Sequence, residues 1–147
     1  MAVQNDIITD GPPGNVARHI RAYVETDGRI GHRWRGGAPA LLITTIGHKT
    51  GLHRRTALIY GKDGDQYVVV ASGRGHNQHP AWYLNLLKHP EIEVQVGAEK
   101  FAALARTATP DERARLWPMM ASIWPSFNKY QAKTDRVIPV VVLERVG

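Results

Sequence analysis

Two glycine-bracketed loops and one aromatic run carry the residues able to do chemistry in this chain. The first loop is Thr44-Thr45-Ile46-Gly47-His48-Lys49-Thr50-Gly51, closed by Arg54 and Arg55. Glycine lets a backbone approach a ligand closely, and the exposed amides of such a turn can cradle an anion. Lys49, Thr50 and Arg54 add charged and hydroxyl donors suited to phosphate or carboxylate oxygens. A P-loop would need Gly-x-x-x-x-Gly-Lys-Ser/Thr running into a helix. A strand is expected to follow here, so that reading is rejected. An ordinary basic hairpin loop is the plain alternative, and spacing alone leaves both open.

The second loop is Ala71-Ser72-Gly73-Arg74-Gly75, followed by His79-Pro80-Ala81-Trp82-Tyr83. It leads into a helix that starts at Pro80, and the free amides and partial positive charge of a helix start favour an anion. Trp82 would lay a flat apolar face beside it; Trp82 and Leu86 as core neighbours one turn apart explain the same pattern. The third feature is Trp124, Phe127 and Tyr130, spaced by three and able to share one helical face. Core packing is again the alternative. Other chemistries find no support. The seven histidines lack paired helical spacings, so no metal site is expected, and Ser72 and Ser126 lack a Gly-x-Ser-x-Gly setting. The chain has no cysteine, which excludes disulfides, thiolate catalysis and cysteine-bound metal.

These side chains need a frame. Residues 1–14, ending Gly11-Pro12-Pro13-Gly14, read as a flexible arm, and 15–147 as a single domain. Asn15 is expected to cap a helix running to about Asp27, with Val16, Ile20, Tyr23 and Val24 on one face. A basic connector containing Trp34 follows. Strands are expected at Leu41–Ile46, Arg54–Tyr60, Gln66–Ser72, Glu91–Val96, Phe101–Thr107 and Val137–Glu144. The hairpin signal Lys62-Asp63-Gly64-Asp65 joins the second to the third. Thr109-Pro110-Asp111-Glu112 is a capping-box helix start. Pro118 is expected to end or kink that helix near Trp117, and a short helix is expected over Ser126–Lys133. The pattern is α+β, with a closed or nearly closed small barrel as the way to hide strand edges. Residues 41–97 emerge as one continuous module suited to an anionic cofactor.

Composition agrees with a packed domain: 147 residues, 43% hydrophobic and 22% charged. The net charge of +6 suits an anionic ligand, an anionic surface or simply a solvated basic face. The basic residues are dispersed, with no recognition helix or RNA-binding aromatic signature, so no nucleic-acid partner is expected. No run reaches the ~20 apolar residues of a membrane span, and the expected location is cytoplasmic.

Several of these motifs, taken in order, resemble the deazaflavin-dependent nitroreductase and quinone reductase family of actinobacteria. The likeness spans about residues 15–145. It rests on Thr-Thr-x-Gly-x-Lys-Thr-Gly at 44–51, Arg54, Tyr67 to Ser72, and His79-Pro80-x-Trp82-Tyr83-x-Asn85-Leu86. Trp117-Pro118, Pro125-Ser126 and Thr134-Asp135-Arg136-x-Ile138-Pro139 complete it. The resemblance implies a split β-barrel like that of flavin-mononucleotide-binding proteins, with six to seven mostly antiparallel strands and flanking helices. It implies coenzyme F420 as hydride donor and no metal. His48, Lys49, Thr50, Arg54 and Arg74 would meet the phosphate and carboxylated tail. Ala71, Ser72, Pro80, Ala81 and Trp82 would line the ring and its linker. Trp124, Phe127 and Tyr130 would face a flat acceptor, a quinone first and a nitroaromatic or activated alkene after it, with Tyr130 as the catalytic proton donor.

Departures from the family pattern carry expectations of their own. The family often has Arg where this chain has His48, and Lys where it has Gly73, so the cradle has fewer fixed cations, with Arg74 one position along as a replacement. Trp124 and Phe127 stand for family tyrosines, which makes efficient nitroimidazole reduction unexpected. If His48 faces the coenzyme tail, affinity should strengthen as pH falls through about 6.5, the ordinary histidine value. A non-catalytic F420 carrier and an FMN-dependent reductase are the rivals. A lipid-resident quinone would add peripheral contact with the inner face of the cell membrane.

Overall fold

β-Branched and aromatic residues at alternating positions build the centre of the molecule. The computed structural model describes residues 8–10 and 14–146. A two-residue strand β1 (Ile8–Thr9) precedes helix α1 (Asn15–Glu25). Strands β2 (Ala40–Ile46), β3 (His53–Ile59), β4 (Gly61–Asp63) and β5 (Gln66–Val70) follow. After α2 (Ala81–Lys88) come β6 (Glu91–Val96) and β7 (Glu99–Thr107), then α3 (Pro110–Ile123), α4 (Ser126–Ala132) and β8 (Val140–Arg145). The sheet order is β1-β3-β2-β6-β7-β8-β5-β4. Strands β2 to β8 pair antiparallel, and β1 alone runs parallel, to β3. The seven antiparallel strands curl into a half-barrel, the split-barrel class that the resemblance implies.

The period of two sorts the side chains. From β2, Leu41 and Ile43 point into the barrel with Val69, Val94, Val141 and Leu143, while Leu42 points outward to Ile20 and Tyr23 of α1. From β5 and β8, Val68, Val70, Val140 and Val142 face outward onto Leu116, Met120 and Phe127 of α3 and α4. One sheet thus carries core on both faces, and the helices on the outer face are what bring the aromatic segment to the strands.

Local chemistry sets the boundaries. The Gly64-Asp65 hairpin forms as expected, with Asp63 opposite Gln66. The capping box at α3 also forms: Thr109 Oγ1 accepts from the Glu112 N–H at 3.3 Å, and Glu112 Oε1 accepts from the Thr109 N–H at 2.9 Å. Arg106 donates to both Glu112 oxygens, and this, with the Thr109 N–H, lowers the Glu112 carboxyl to about 2.

Three expectations need correction. Asn15 is the first helical residue and Gly14 precedes it as cap, so Asn15 caps nothing; its side chain accepts from Arg18 instead, and α1 ends at Glu25. Pro118 does not end α3, which runs on to Ile123. Both Pro118 and Ala114, whose carbonyl loses its helical donor, lie on the exposed side of the helix, where water replaces the missing bond. The last strand starts at Val140 rather than Val137, after Pro139, which has no N–H to give a ladder. Of the arm, residues 1–7 and 11–13 lie outside the described residues. Ile8–Thr9 pair with His53–Arg54, and Asp10 accepts from Arg55 at 2.7 and 3.0 Å.

Candidate functional site

The β2–β3 loop is folded onto itself before any ligand enters. The Gly47 N–H donates to the Leu52 carbonyl at 2.7 Å, and the Gly51 N–H to the Gly47 carbonyl at 2.8 Å. A β-carbon at Gly47 would lie 2.7 Å from Thr50 Oγ1 and 3.2 Å from the Leu52 oxygen, so a larger residue there would make Thr50 and the turn shift. Asn85, buried on α2, ties the loop down: its Oδ1 accepts from the His48 N–H at 2.9 Å and contacts His48 Nδ1 at 2.6 Å, and its Nδ2 donates to Thr45 Oγ1 at 3.0 Å. Lys88 donates to the His48 carbonyl at 3.0 Å.

A cleft of about 540 Å³ opens between this loop, β3, α1 and the start of α2. His48, Lys49, Thr50, Arg54, Ala81 and Trp82 line it. Arg55 also faces it but is neutralised by Asp10. Among the described residues no carboxylate pairs with Lys49 or Arg54, so two cations stand ready for a ligand. No side chain caps α2, whose N-terminal residues border the same cleft.

Val16 and Trp82 separate this space from a second cleft of about 190 Å³ and line both. Ser72, Gly73, Arg74 and Pro80 form one side of the second cleft; Trp34, Trp124, Phe127 and Tyr130 form another. Its loop is held from below by Arg136. The guanidinium donates to the His76 carbonyl at 2.7 Å, the Ser72 carbonyl at 2.6 Å and the Ala71 carbonyl at 3.3 Å, and to His79 Nδ1 at 3.0 Å. Burial, then the Arg136 charge, lowers the proton affinity of His79 below the ordinary imidazole value, so the ring accepts as a neutral base. The same loop abuts α4: a β-carbon at Gly75 would meet the Tyr130 carbonyl oxygen at 2.6 Å, and Lys133 donates to the Arg74 carbonyl at 3.3 Å.

The aromatic wall is part core and part surface. Phe127 is buried, edge-on to Tyr130 at 6.3 Å and tilted against Trp117 at 6.4 Å. Tyr130 is half-buried, and its hydroxyl makes no hydrogen bond to another described residue. Trp34 stacks on His19 at 4.5 Å.

The sequence-expected residues therefore fall into two groups in adjoining clefts. His48, Lys49, Thr50 and Arg54 meet in the first; Ser72, Arg74, Pro80, Trp124, Phe127 and Tyr130 meet in the second; Trp82 serves both, and Ala81 the first. Ala71 is fully buried in the barrel core and lines neither. Arg74 stands in the second cleft and does not join Lys49 in the first. Three residues went without a role in the sequence: Asn85, Arg136 and Trp34. Asn85 and Arg136 lay inside quoted motifs, and a polar residue amid an apolar helix such as Tyr83-Leu84-Asn85-Leu86 was the available signal. Trp34 had none, since its contacts depend on how the connector folds back.

The arrangement suits a flat ring that carries an anionic extension. The paired clefts give a long path with free cations at one end and aromatic faces at the other. Among the described residues no cluster of three His, Cys, Asp or Glu could hold a metal.

Comparison with known proteins agrees with this shape. Residues 15–145 match the family described as F420H(2)-dependent quinone reductase. An F420H(2)-dependent quinone reductase of Mycobacterium tuberculosis is 43% identical over 130 residues, covering 86% of this chain and 87% of its own. A solved F420-H2 dependent reductase, FDR-A, superposes with a TM-score of 0.67 at 36% identity, covering 72% of this chain and 94% of its own. A second solved chain, described as a domain-swapped dimer, superposes with a TM-score of 0.70 at 34% identity, covering 85% and 96%.

Proposed function

The chain belongs to the F420H(2)-dependent quinone reductase family, and on that premise we propose that it is a reductase that binds reduced coenzyme F420 along the two clefts and reduces a flat, quinone-like acceptor against the aromatic wall. The observation that carries the reading is the junction at Trp82, where a cleft with two cations that pair with no carboxylate among the described residues meets a cleft walled by aromatics.

Lys49, Thr50 and Arg54 hold the phosphate and carboxylated tail, with the amides at the start of α2 adding their partial charge. Ser72, Pro80 and Trp82 flank the ring. Bound there, the coenzyme supplies the hydride. Trp34, Trp124 and Phe127 exclude water from the acceptor and orient it by stacking. A quinone that takes up a hydride also needs a proton on oxygen; we assign that proton to Tyr130 Oη, which has no competing partner among the described residues. Nitroaromatics and activated alkenes are secondary acceptors in this reading, because Trp124 and Phe127 offer no phenolic donors.

No helix among the described residues is long and apolar enough to cross a membrane. Exposed Leu52 and Leu87, in the segments that also bear Lys49 and Lys88, support peripheral contact with an anionic bilayer that stores a quinone.

The test is to mix the protein with reduced coenzyme and a menaquinone analogue and follow coenzyme oxidation in the visible range. Turnover above the uncatalysed rate is expected. Oxidation at background with every quinone tried would remove the quinone assignment, and a spectrum showing bound FMN in place of F420 would remove the coenzyme assignment.

A further inference from the structure

Asn85 is 3% exposed, and both ends of its side-chain amide are engaged. Its Oδ1 faces two groups of His48: the backbone N–H at 2.9 Å and ring Nδ1 at 2.6 Å. Its Nδ2 donates to Thr45 Oγ1. Turning the amide over would set an NH2 against the His48 backbone N–H, donor against donor, so the network fixes the orientation. An amide oxygen only accepts; Nδ1 must then carry the proton. In a neutral imidazole that leaves Nε2 with a lone pair. Nε2 has no partner among the described residues, and His48 lines the first cleft beside Lys49 and Thr50.

We propose that Asn85 is a positioning residue that holds His48 as its Nδ1–H tautomer, so that Nε2 offers the cleft an acceptor when neutral and a charged donor when protonated, making the grip on the coenzyme's anionic tail pH-dependent. The proposal rests on the reductase reading for the identity of the ligand and on geometry for the tautomer. The charged and titratable groups around His48 are Lys49 in its own loop, His53, Arg54 and Arg55 on β3, Lys88 on α2, and Asp10 from the N-terminal segment. Asp10, the acid in this set, is already held by Arg55. Among the described residues, protonated His48 therefore has no neighbouring carboxylate free to absorb its charge, and the charge goes to a ligand anion. An arginine at this position would donate at every pH; the histidine makes the same contact conditional.

Two measurements test this. On the ligand-free protein at about pH 8, long-range proton–nitrogen NMR of His48 is expected to show the proton on Nδ1, and Asn85→Leu to return the ring toward the Nε2–H form that free histidine prefers. A wild-type His48 protonated on Nε2 at that pH overturns the proposal whatever the coenzyme does. In the second arm F420 is titrated into the protein by fluorescence from about pH 8 to about pH 5.5. Affinity is expected to rise about fivefold or more as His48 gains its proton. His48→Arg should bind with a flat profile. Asn85→Asp keeps the side-chain shape but sets a carboxylate against His48 that absorbs its charge, and should blunt the rise. Coenzyme binding that is flat with pH in the wild type overturns the proposal and leaves the reductase reading intact. Failure to bind at every pH removes that reading and the pH claim together, while the NMR result is decided separately.

Discussion

The two clefts meet at Trp82, yet they are built by opposite means. The first is a loop on a sheet edge: its shape comes from backbone hydrogen bonds, one tightly packed glycine and one buried amide, and its exposed cations pair with no carboxylate among the described residues. The second is a seam in the core: Phe127 packs with Val68, Val140 and Met120, and the facing loop hangs from Arg136. A surface charge can be changed with little effect on folding, whereas a core aromatic cannot. In the proposed reading, the difference separates the part that would bind an anion from the part that would shape an apolar acceptor pocket, each with its own cost in stability.

That contrast can be broken at either end. The largest effect is expected from Phe127→Ala, which should lower unfolding stability by about 3–5 kcal/mol in urea titrations. A stable Phe127→Ala protein would show that the aromatic wall stands apart from the core. Next comes Lys49→Ala combined with Arg54→Ala. Losing two charge-assisted contacts should weaken F420 binding about 100-fold or more, with stability within about 0.5 kcal/mol of wild type. Equal losses of binding and stability would mean that the cations hold the loop together. The smallest effect is electrostatic. His79 has its folded proton affinity lowered by burial and Arg136, so its neutral form stabilises the fold fully above the ordinary value of 6.5, and this contribution is lost as pH falls through the lower folded value. Between about pH 8 and about pH 5, wild type should therefore lose slightly more Tm than His79→Asn, by about 2 °C or less. A His79→Asn protein that follows wild type at every pH would show that this histidine makes no such contribution.

Much of the fold is written in local signals. Alternation at Glu91–Val96, the Gly64-Asp65 turn and the Thr109–Glu112 capping box each depend on residues within a few positions of one another, and each forms as read. Pro118, expected to end or kink its helix, does not end it, because the cost of a helical proline depends on whether the orphaned carbonyl faces solvent, and that depends on which face packs. The site divides along the same line. That Lys49, Thr50 and Arg54 line one cleft follows from their closeness in the chain, in the β2–β3 loop and at the start of β3. Ala71, next to Ser72 in the chain, is buried in the barrel core while Ser72 lines the second cleft, a separation that reading along the chain does not reveal.

What the amino-acid order determined unaided is the four helices, the strands β2, β3 and β5 to β8, the basic loop and the aromatic triplet, because periodicity, turn chemistry and spacing act over a few residues; the short strands β1 and β4 were not legible. Tertiary structure alone decided that the loop and the triplet share Trp82 across a sheet, that Arg136 holds a loop some sixty residues earlier in the chain, and that Asn85 reaches back to His48. Those contacts join strands and helices far apart in sequence. They are chosen by which faces bury together when the half-barrel curls, a property of the whole sheet that no window of the chain contains.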